Sequence, residues 1–156
     1  MSVDKVREVL KQWGREKDIR EFDVSSATVE LAAKALSVEP GRIAKTLSFQ
    51  LGDGAMVIVA AGDMKIDNGK FKQEYGFKAK MLSYDELLKL IGYAPGGVCP
   101  FGLSEDIPVY LDESLKRFRT VFPACGSSNS AIELTCDELE LYSACRKWVD
   151  VCKAIE

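Results

Sequence analysis

The chain has 156 residues, 47% hydrophobic and 29% charged, which suffices for one globular domain with a sizeable core. It contains no histidine and has a net charge of −3. That excludes Ser-His-Asp triads, Cys-His dyads and His-ligated metal sites, and argues against indiscriminate nucleic-acid binding over the whole surface.

In chain order, Val3, Val6, Leu10 and Trp13 follow helical spacing behind Ser2, a good N-cap. Residues 19–24 alternate and read as a strand, and 27–37 read as a helix ended near Pro40-Gly41. Strands follow at 45–51 and 55–61, with Gly52-Asp53-Gly54 as a hairpin signal between them. A helix is expected over 65–75, closed by Gly76. Ser83 to Glu86 forms a capping box that opens a helix stopped by Gly92. After a Pro/Gly-rich loop at 94–102, strands are expected at 107–111, 119–123 and 130–134, with a short helix between the first two. A second capping box, Thr135 to Glu138, starts a helix ending near Ala144, and 147–151 reads as a strand. Strands interleaved with helices, with hairpins and longer crossovers mixed, indicate an α+β fold with a mixed sheet. No repeat or linker divides the chain, so residues 1–156 read as a single domain.

No apolar run is long enough to span a membrane, and the charged start Met1-Ser-Val-Asp lacks the apolar core of a signal peptide. A cytoplasmic location is expected. The cysteines, Cys99, Cys125, Cys136, Cys145 and Cys152, are odd in number and form no Cys-x-x-Cys pair. They read as reduced packing residues, with neither a disulfide framework nor a metal site. Cys99 and Cys125 sit in glycine-bearing loops, so a thiol nucleophile is a rival reading, although no histidine is there to activate it. Residues 65–80 hold Lys65, Lys70, Lys72, Lys78 and Lys80 against Asp67 and Glu74, and Lys116, Arg117 and Arg119 form a second cluster. Such patches suit a phosphate backbone or a solvated helix face equally well.

Lys45 interrupts an apolar, β-rich stretch. It reads either as an exposed strand end or as a cation aimed into a cleft, where a lysine binds phosphate or hydroxyl as a point charge. Gly96-Gly97 followed by Pro100-Phe101-Gly102 is a constrained loop, either a turn or a set of bare N–H donors for an oxyanion. Gly126-Ser127-Ser128-Asn129 reads as a hairpin turn or as a pocket wall. Nucleotide-binding glycine motifs are absent.

Together these segments resemble the YbaK/ProX family of aminoacyl-tRNA deacylases, related to the editing insertion domain of bacterial prolyl-tRNA synthetases. The carriers are Ile43-Ala-Lys-Thr-Leu-Ser-Phe49, Val57-Ile-Val-Ala-Ala61, Gly96-Gly-Val-Cys-Pro-Phe-Gly102, Val109-Tyr-Leu-Asp-Glu-Ser-Leu115 and the stretch Phe122 to Thr135. The resemblance covers about residues 20 to 152. It implies a curved, barrel-like mixed sheet flanked by helices, and hydrolysis of the ester joining a wrong amino acid to a tRNA, chiefly cysteine or alanine on a proline tRNA. It makes Lys45, Gly97 and Gly126 catalytic. It places Lys45, Thr46, Gly96, Gly97, Val98, Pro100, Phe101, Gly102, Gly126, Ser127, Ser128 and Asn129 around the substrate. It calls for no metal or organic cofactor. Mischarged tRNA is the implied partner, with prolyl-tRNA synthetase as a docking platform. Relatives often carry a histidine where this chain has Asn129, which leaves open a non-catalytic module binding aminoacyl-tRNA or synthetase. The amino acid removed and the oligomeric state are not specified by the sequence.

Overall fold

The computed structural model describes residues 2–155. Helix α1 (Val3–Lys11) leads to a short strand β1 (Arg20–Glu21), then to α2 (Val29–Leu36), whose N-terminus is capped by the Thr28 hydroxyl accepting from Leu31 N–H. The hairpin follows as β2 (Ile43–Leu51) and β3 (Gly54–Ala61), paired antiparallel from Ala44↔Ala61 to Leu51↔Gly54. Next come β4 (Met64–Ile66) and α3 (Asn68–Tyr75). Helix α4 (Tyr84–Glu86) continues as a π-turn over Leu87–Ile91, closed by Gly92 at φ +88°. The second half contains β5 (Val109–Asp112), a 3₁₀ turn over Glu113–Arg117, β6 (Thr120–Pro123), β7 (Ser130–Ala131) and β8 (Leu134–Thr135). It ends with α5 (Cys136–Ser143), β9 (Lys147–Val149) and β10 (Cys152–Ala154).

Six strands form one mixed sheet in the order β8-β6-β2-β3-β5-β9, curled towards a half-barrel. The β2–β3 and β6–β8 pairs are antiparallel, and the β2–β6, β3–β5 and β5–β9 pairs are parallel. Strand β3 explains why the sheet sits centrally. Its residues from Ala55 to Ala61 are all buried, and alternation divides them between two layers. Val57, Val59 and Ala61 join Val6, Leu10, Tyr93 and Leu139 on the face covered by α1, α5 and the 93–101 loop. Met56, Ile58 and Ala60 join Phe49, Phe71 and Cys152 on the face covered by α3. A third cluster, Ala32, Ala33, Ile43 and Phe122, seats α2 at the corner where β6 meets β2.

Both expected capping boxes form, with reciprocal bonds between Ser83 and Glu86 and between Thr135 and Glu138. Three expectations are corrected. The strand read at 19–24 contracts to Arg20–Glu21, because its partner β7 offers only two residues. The strand read at 130–134 divides into β7 and β8, since the chain leaves β1 and crosses to β6 at Ile132-Glu133. The helix read at 65–75 begins only at Asn68, where Asp67 accepts from Lys70 N–H. The residues before it pair with β10, a partner more than eighty positions away that no local pattern announces.

Asp112 is the buried acid that joins these parts. It is 1% exposed, and its carboxylate accepts from Ser114 N–H (3.0 Å) and Val151 N–H (2.9 Å). Asp112→Ala leaves both donors unsatisfied in the core. The expected loss is about 3 kcal/mol, measured as a lower urea midpoint with unchanged slope.

Candidate functional site

Strand β2 is bordered by two different neighbours on its outer edge. β6 pairs with it only at Ile43 and Ala44. Further along, the segment 80–82 takes over, with Gln50 N–H donating to Lys80 O (2.8 Å) and Leu82 N–H to Ser48 O (3.1 Å). Between them Lys45, Thr46 and Leu47 have β3 on their inner side and no strand on this edge. A cavity of about 250 Å³ occupies this opening. Its floor is Ala44, Lys45, Thr46 and Ser48. The N-terminus of α2 with its preceding loop (Ser26 to Val29) forms one wall, Met81, Leu82 and Leu87 another, and Pro95, Gly96 and Val98 a third. Phe122, Ala124, Ser130 and Ala131 close the end.

Alternation along β2 sends Lys45 to the α3 face and Thr46 and Ser48 to the opposite one. The half-buried Lys45 ammonium donates to the carbonyls of Gly62 (3.4 Å) and Met64, gripping the turn between β3 and β4. Burial lowers its pKa from the ordinary lysine value, with Cys152, Asp63 and Glu30 opposing that shift. The turn is fixed in turn by Asp63, whose carboxylate accepts from both terminal Arg117 nitrogens (2.6 and 3.0 Å) and has its pKa lowered for that reason. Two hydroxyls on the cavity floor, Thr46 Oγ1 and Ser48 Oγ, are buried without a hydrogen-bond partner among the described residues. Buried polar groups are nearly always paired, so these two hydroxyls have hydrogen-bonding capacity left over beside the cavity.

Of the residues singled out in the sequence, Lys45, Thr46, Gly96 and Val98 come together at this cavity. Gly96 has φ +87°, and a Cβ there would stand 2.8 Å from the Ala27 Cβ, so the loop can close on the α2 wall only as glycine. The others are placed differently. Gly97 N–H, expected as an oxyanion donor, is spent on Ala94 O (3.0 Å). Gly97 instead lets its loop press on the next one, with a Cβ position 3.0 Å from the backbone of Gly126 and Ser127. Gly126, at φ +90°, packs against Ser2 and Tyr93, outside the cavity lining.

Phe101 is a fully buried core residue whose carbonyl accepts from the Tyr93 hydroxyl (2.6 Å). Pro100 and Gly102 line a separate hollow of about 580 Å³ beside Trp13 and Tyr142. The Ser127–Asn129 segment is a latch. Asn129 Nδ2 donates to Phe22 O (3.0 Å), Asn129 O accepts from Phe22 N–H (2.8 Å), and Ser128 O accepts from Ser26 N–H (2.7 Å). Through Ser26 it holds the wall that precedes α2. Sequence reasoning missed Ser48 and that wall. The alternation Thr46/Ser48, two small hydroxyls on one face of an apolar strand, was the available signal.

The thiols are arranged for packing. Cys99 and Cys125 are fully buried, and burial pushes the first up to about 12 and the second well above its ordinary value. Neither supplies thiolate near neutral pH. With a small thiol reagent, Cys136 and Cys145 are expected to react in the folded protein, while Cys99, Cys125 and Cys152 stay protected until denaturant is added. Turnover that survives in Cys99→Ala and in Cys125→Ala would remove the thiol-nucleophile reading.

The half-barrel mixed sheet is a fold shared with solved structures. Residues 23–141 match the model of the aminoacyl-tRNA editing domain, and the chain belongs to that family. It is 60% identical to the uncharacterised protein YwhH of Bacillus subtilis over 98% of both chains. It is 33% identical to EbsC of Enterococcus faecalis, named provisionally as a Cys-tRNA(Pro)/Cys-tRNA(Cys) deacylase, over 69% of this chain and 66% of that one. The proline–tRNA ligase of Bacillus cytotoxicus is 28% identical over 64% of this chain, which spans only 18% of the ligase. Among solved structures, one described provisionally as a trans-editing enzyme for prolyl tRNA synthetase superposes with a TM-score of 0.86 at 29% identity, covering 97% of both chains. Among the described residues no helix is long and apolar enough to cross a membrane, and no group of His, Cys, Asp or Glu forms a metal cluster.

Proposed function

We propose that the protein hydrolyses the ester between a wrongly attached amino acid, cysteine or alanine, and the 3′ end of a proline tRNA. The observation that carries this reading is the small cavity on Lys45 and Thr46, in a chain of the editing family. At about 250 Å³ it is below the usual range for pockets holding whole cofactors, and it suits the aminoacyl end of a tRNA. A synthetase pocket rejects a smaller side chain by only a few kcal/mol, so a second pocket of different shape supplies the missing discrimination.

An aminoacyl ester is already activated, so water suffices as nucleophile. Water adds to the carbonyl carbon, the carbonyl oxygen takes up negative charge, and the ribose oxygen leaves with a proton. Gly97 and Gly126 have other duties, so the main-chain N–H groups of the cavity-lining residues Gly96, Val98 and Thr46 are the candidate oxyanion donors. Lys45 uses two of its three N–H bonds on Gly62 and Met64, leaving one for a ribose or phosphate oxygen of the terminal adenosine. The exposed lysines Lys65, Lys72, Lys78 and Lys80, which have no ion pair among the described residues, supply positive charge for the acceptor stem. The protein acts in the cytoplasm, where charged tRNA is found, and a prolyl-tRNA synthetase would be its docking partner.

One observation favours a binding module without catalysis: of the two glycines expected to donate N–H groups to an oxyanion, Gly97 spends its N–H on Ala94 O and Gly126 lies outside the cavity lining. Deacylation of tRNAs charged with Ala, Cys, Ser, Thr and Pro decides between the two. Selective release of Cys or Ala supports hydrolysis. Tight tRNA binding with no release above the spontaneous rate supports the module.

A further inference from the structure

The break in the sheet at β2 has a definite chemistry. In an antiparallel pair the main-chain groups of successive residues point alternately to one neighbour and to the other. Three bonds establish the phase along this hairpin. Gln50 N–H is used by Lys80 O on the outer edge. Val57 N–H, opposite Ser48, is used by Pro108 O, and Ala61 N–H, opposite Ala44, is used by Ser114 Oγ. Residues 44, 46, 48 and 50 of β2 therefore turn their N–H and C=O outward, away from β3. Ala44 meets β6, and Ser48 and Gln50 meet the 80–82 segment. Thr46 meets neither.

The reason lies in β6. Its ladder with β2 ends at Pro123, and the next residue, Ala124, bridges to Ala131 instead. The stretch from Ala44 to Ser48 spans about 13 Å at strand rise, and a neighbouring strand would lie about 5 Å away. The opening holds one residue of extended main chain. Thr46 lines the cavity that fills it, as does Ser48, a residue 5% exposed, and the hydroxyls of both are buried without a partner among the described residues.

We propose that Thr46 recognises the aminoacyl group through its main chain, so that the substrate completes the sheet as a one-residue strand. Thr46 N–H donates to the ester carbonyl oxygen, and Thr46 C=O accepts from the α-amino group. The spacing of the two groups is that of any amino acid's own amine and carbonyl, which is what an antiparallel partner presents. This deepens the editing reading and rests on it. It assigns recognition of the α-amino acid to β2 and leaves the side chain to the α2 and 81–87 walls. It also makes the free amine a requirement: acetylation crowds it, and its replacement by hydrogen removes the donor.

The test is amide NMR on the intact ¹⁵N-labelled protein with 3′-deoxy-3′-(L-alanylamino)adenosine, a non-hydrolysable mimic. Its N-acetyl and propionyl counterparts are titrated in parallel. The expected result is a shift of the Thr46 amide with slowed hydrogen exchange, and at least tenfold weaker binding of both counterparts. If the alanyl compound moves the Gly96 and Val98 amides but leaves Thr46 unchanged, or the counterparts bind equally well, the edge proposal is overturned. Should charged tRNA be cleaved in that case, the editing reading stands without it. If the mimic does not bind and no charged tRNA is cleaved, both fall.

Discussion

Lys45→Ala is expected to lower single-turnover aminoacyl-ester hydrolysis by about 100-fold or more, the order of loss when a substrate-positioning contact is removed and the reacting ester is no longer held in place. The ammonium does two things at once. It presents charge to the cavity, and it ties the carbonyls of Gly62 and Met64 to β2. Alanine frees the turn between β3 and β4, on which α2 leans. Stability should change less than activity, by about 1–2 kcal/mol, because two lost charge-assisted bonds are offset by the relief of a desolvated charge.

The pH dependence separates these effects. Burial lowers the Lys45 pKa in the folded state, so the unfolded chain binds its proton more tightly. Stability therefore rises with pH between the folded value and the ordinary value of 10.5, where the unfolded lysine also discharges. In Lys45→Ala this alkaline rise should disappear. A mutant that kept both its rate and its alkaline rise would remove Lys45 from the site. Arginine is not a conservative test here, since its planar fork does not fit a point-charge position between two carbonyls.

Gly62→Ala should be the most damaging small substitution in the chain. A Cβ at residue 62 would stand 2.2 Å from Pro40 O and 2.6 Å from Val29 Cγ1. The first is backbone and cannot rotate away, and the second belongs to the wall of the cavity. Relief requires the 40–42 turn and α2 to move off the β3–β4 turn together. A cost of about 3 kcal/mol or more is expected, lowering the melting temperature by roughly 6–12 °C. Deacylation should fall with it, because Lys45 and Val29 are displaced from opposite sides of one cavity. Gly54→Ala provides the control, since its Cβ would meet nothing closer than Leu51 O at 3.7 Å. Equal melting temperatures for the two variants would show that the 40–42 and 62–64 turns are not packed as described.

Local order was written plainly in the sequence. Both capping boxes, the Gly52-Asp53-Gly54 hairpin and the helix stop at Gly92 depend on hydrogen bonds and backbone angles within a few residues, so a short window contains the whole cause. Lys45 was legible for a related reason, since a charge on an apolar strand has few explanations. The glycine loops were ambiguous because glycine reports only that a backbone comes close to something. At Gly96 that something is Ala27 at the cavity, whereas at Gly97 and Gly126 it is another part of the chain.

The sequence by itself determined the helices, the β2–β3 hairpin and a chemistry without histidine, through composition and short-range periodicity. Tertiary structure alone decided where β2 lies open. That opening exists because β6 leaves at Pro123, the 80–82 segment arrives only at Ser48, and α2 and the 95–98 loop wall off the space between. Four segments separated by up to about a hundred residues must meet to expose the main chain of one threonine. Hydrogen-bond partners chosen over that distance leave no trace in any single stretch of sequence.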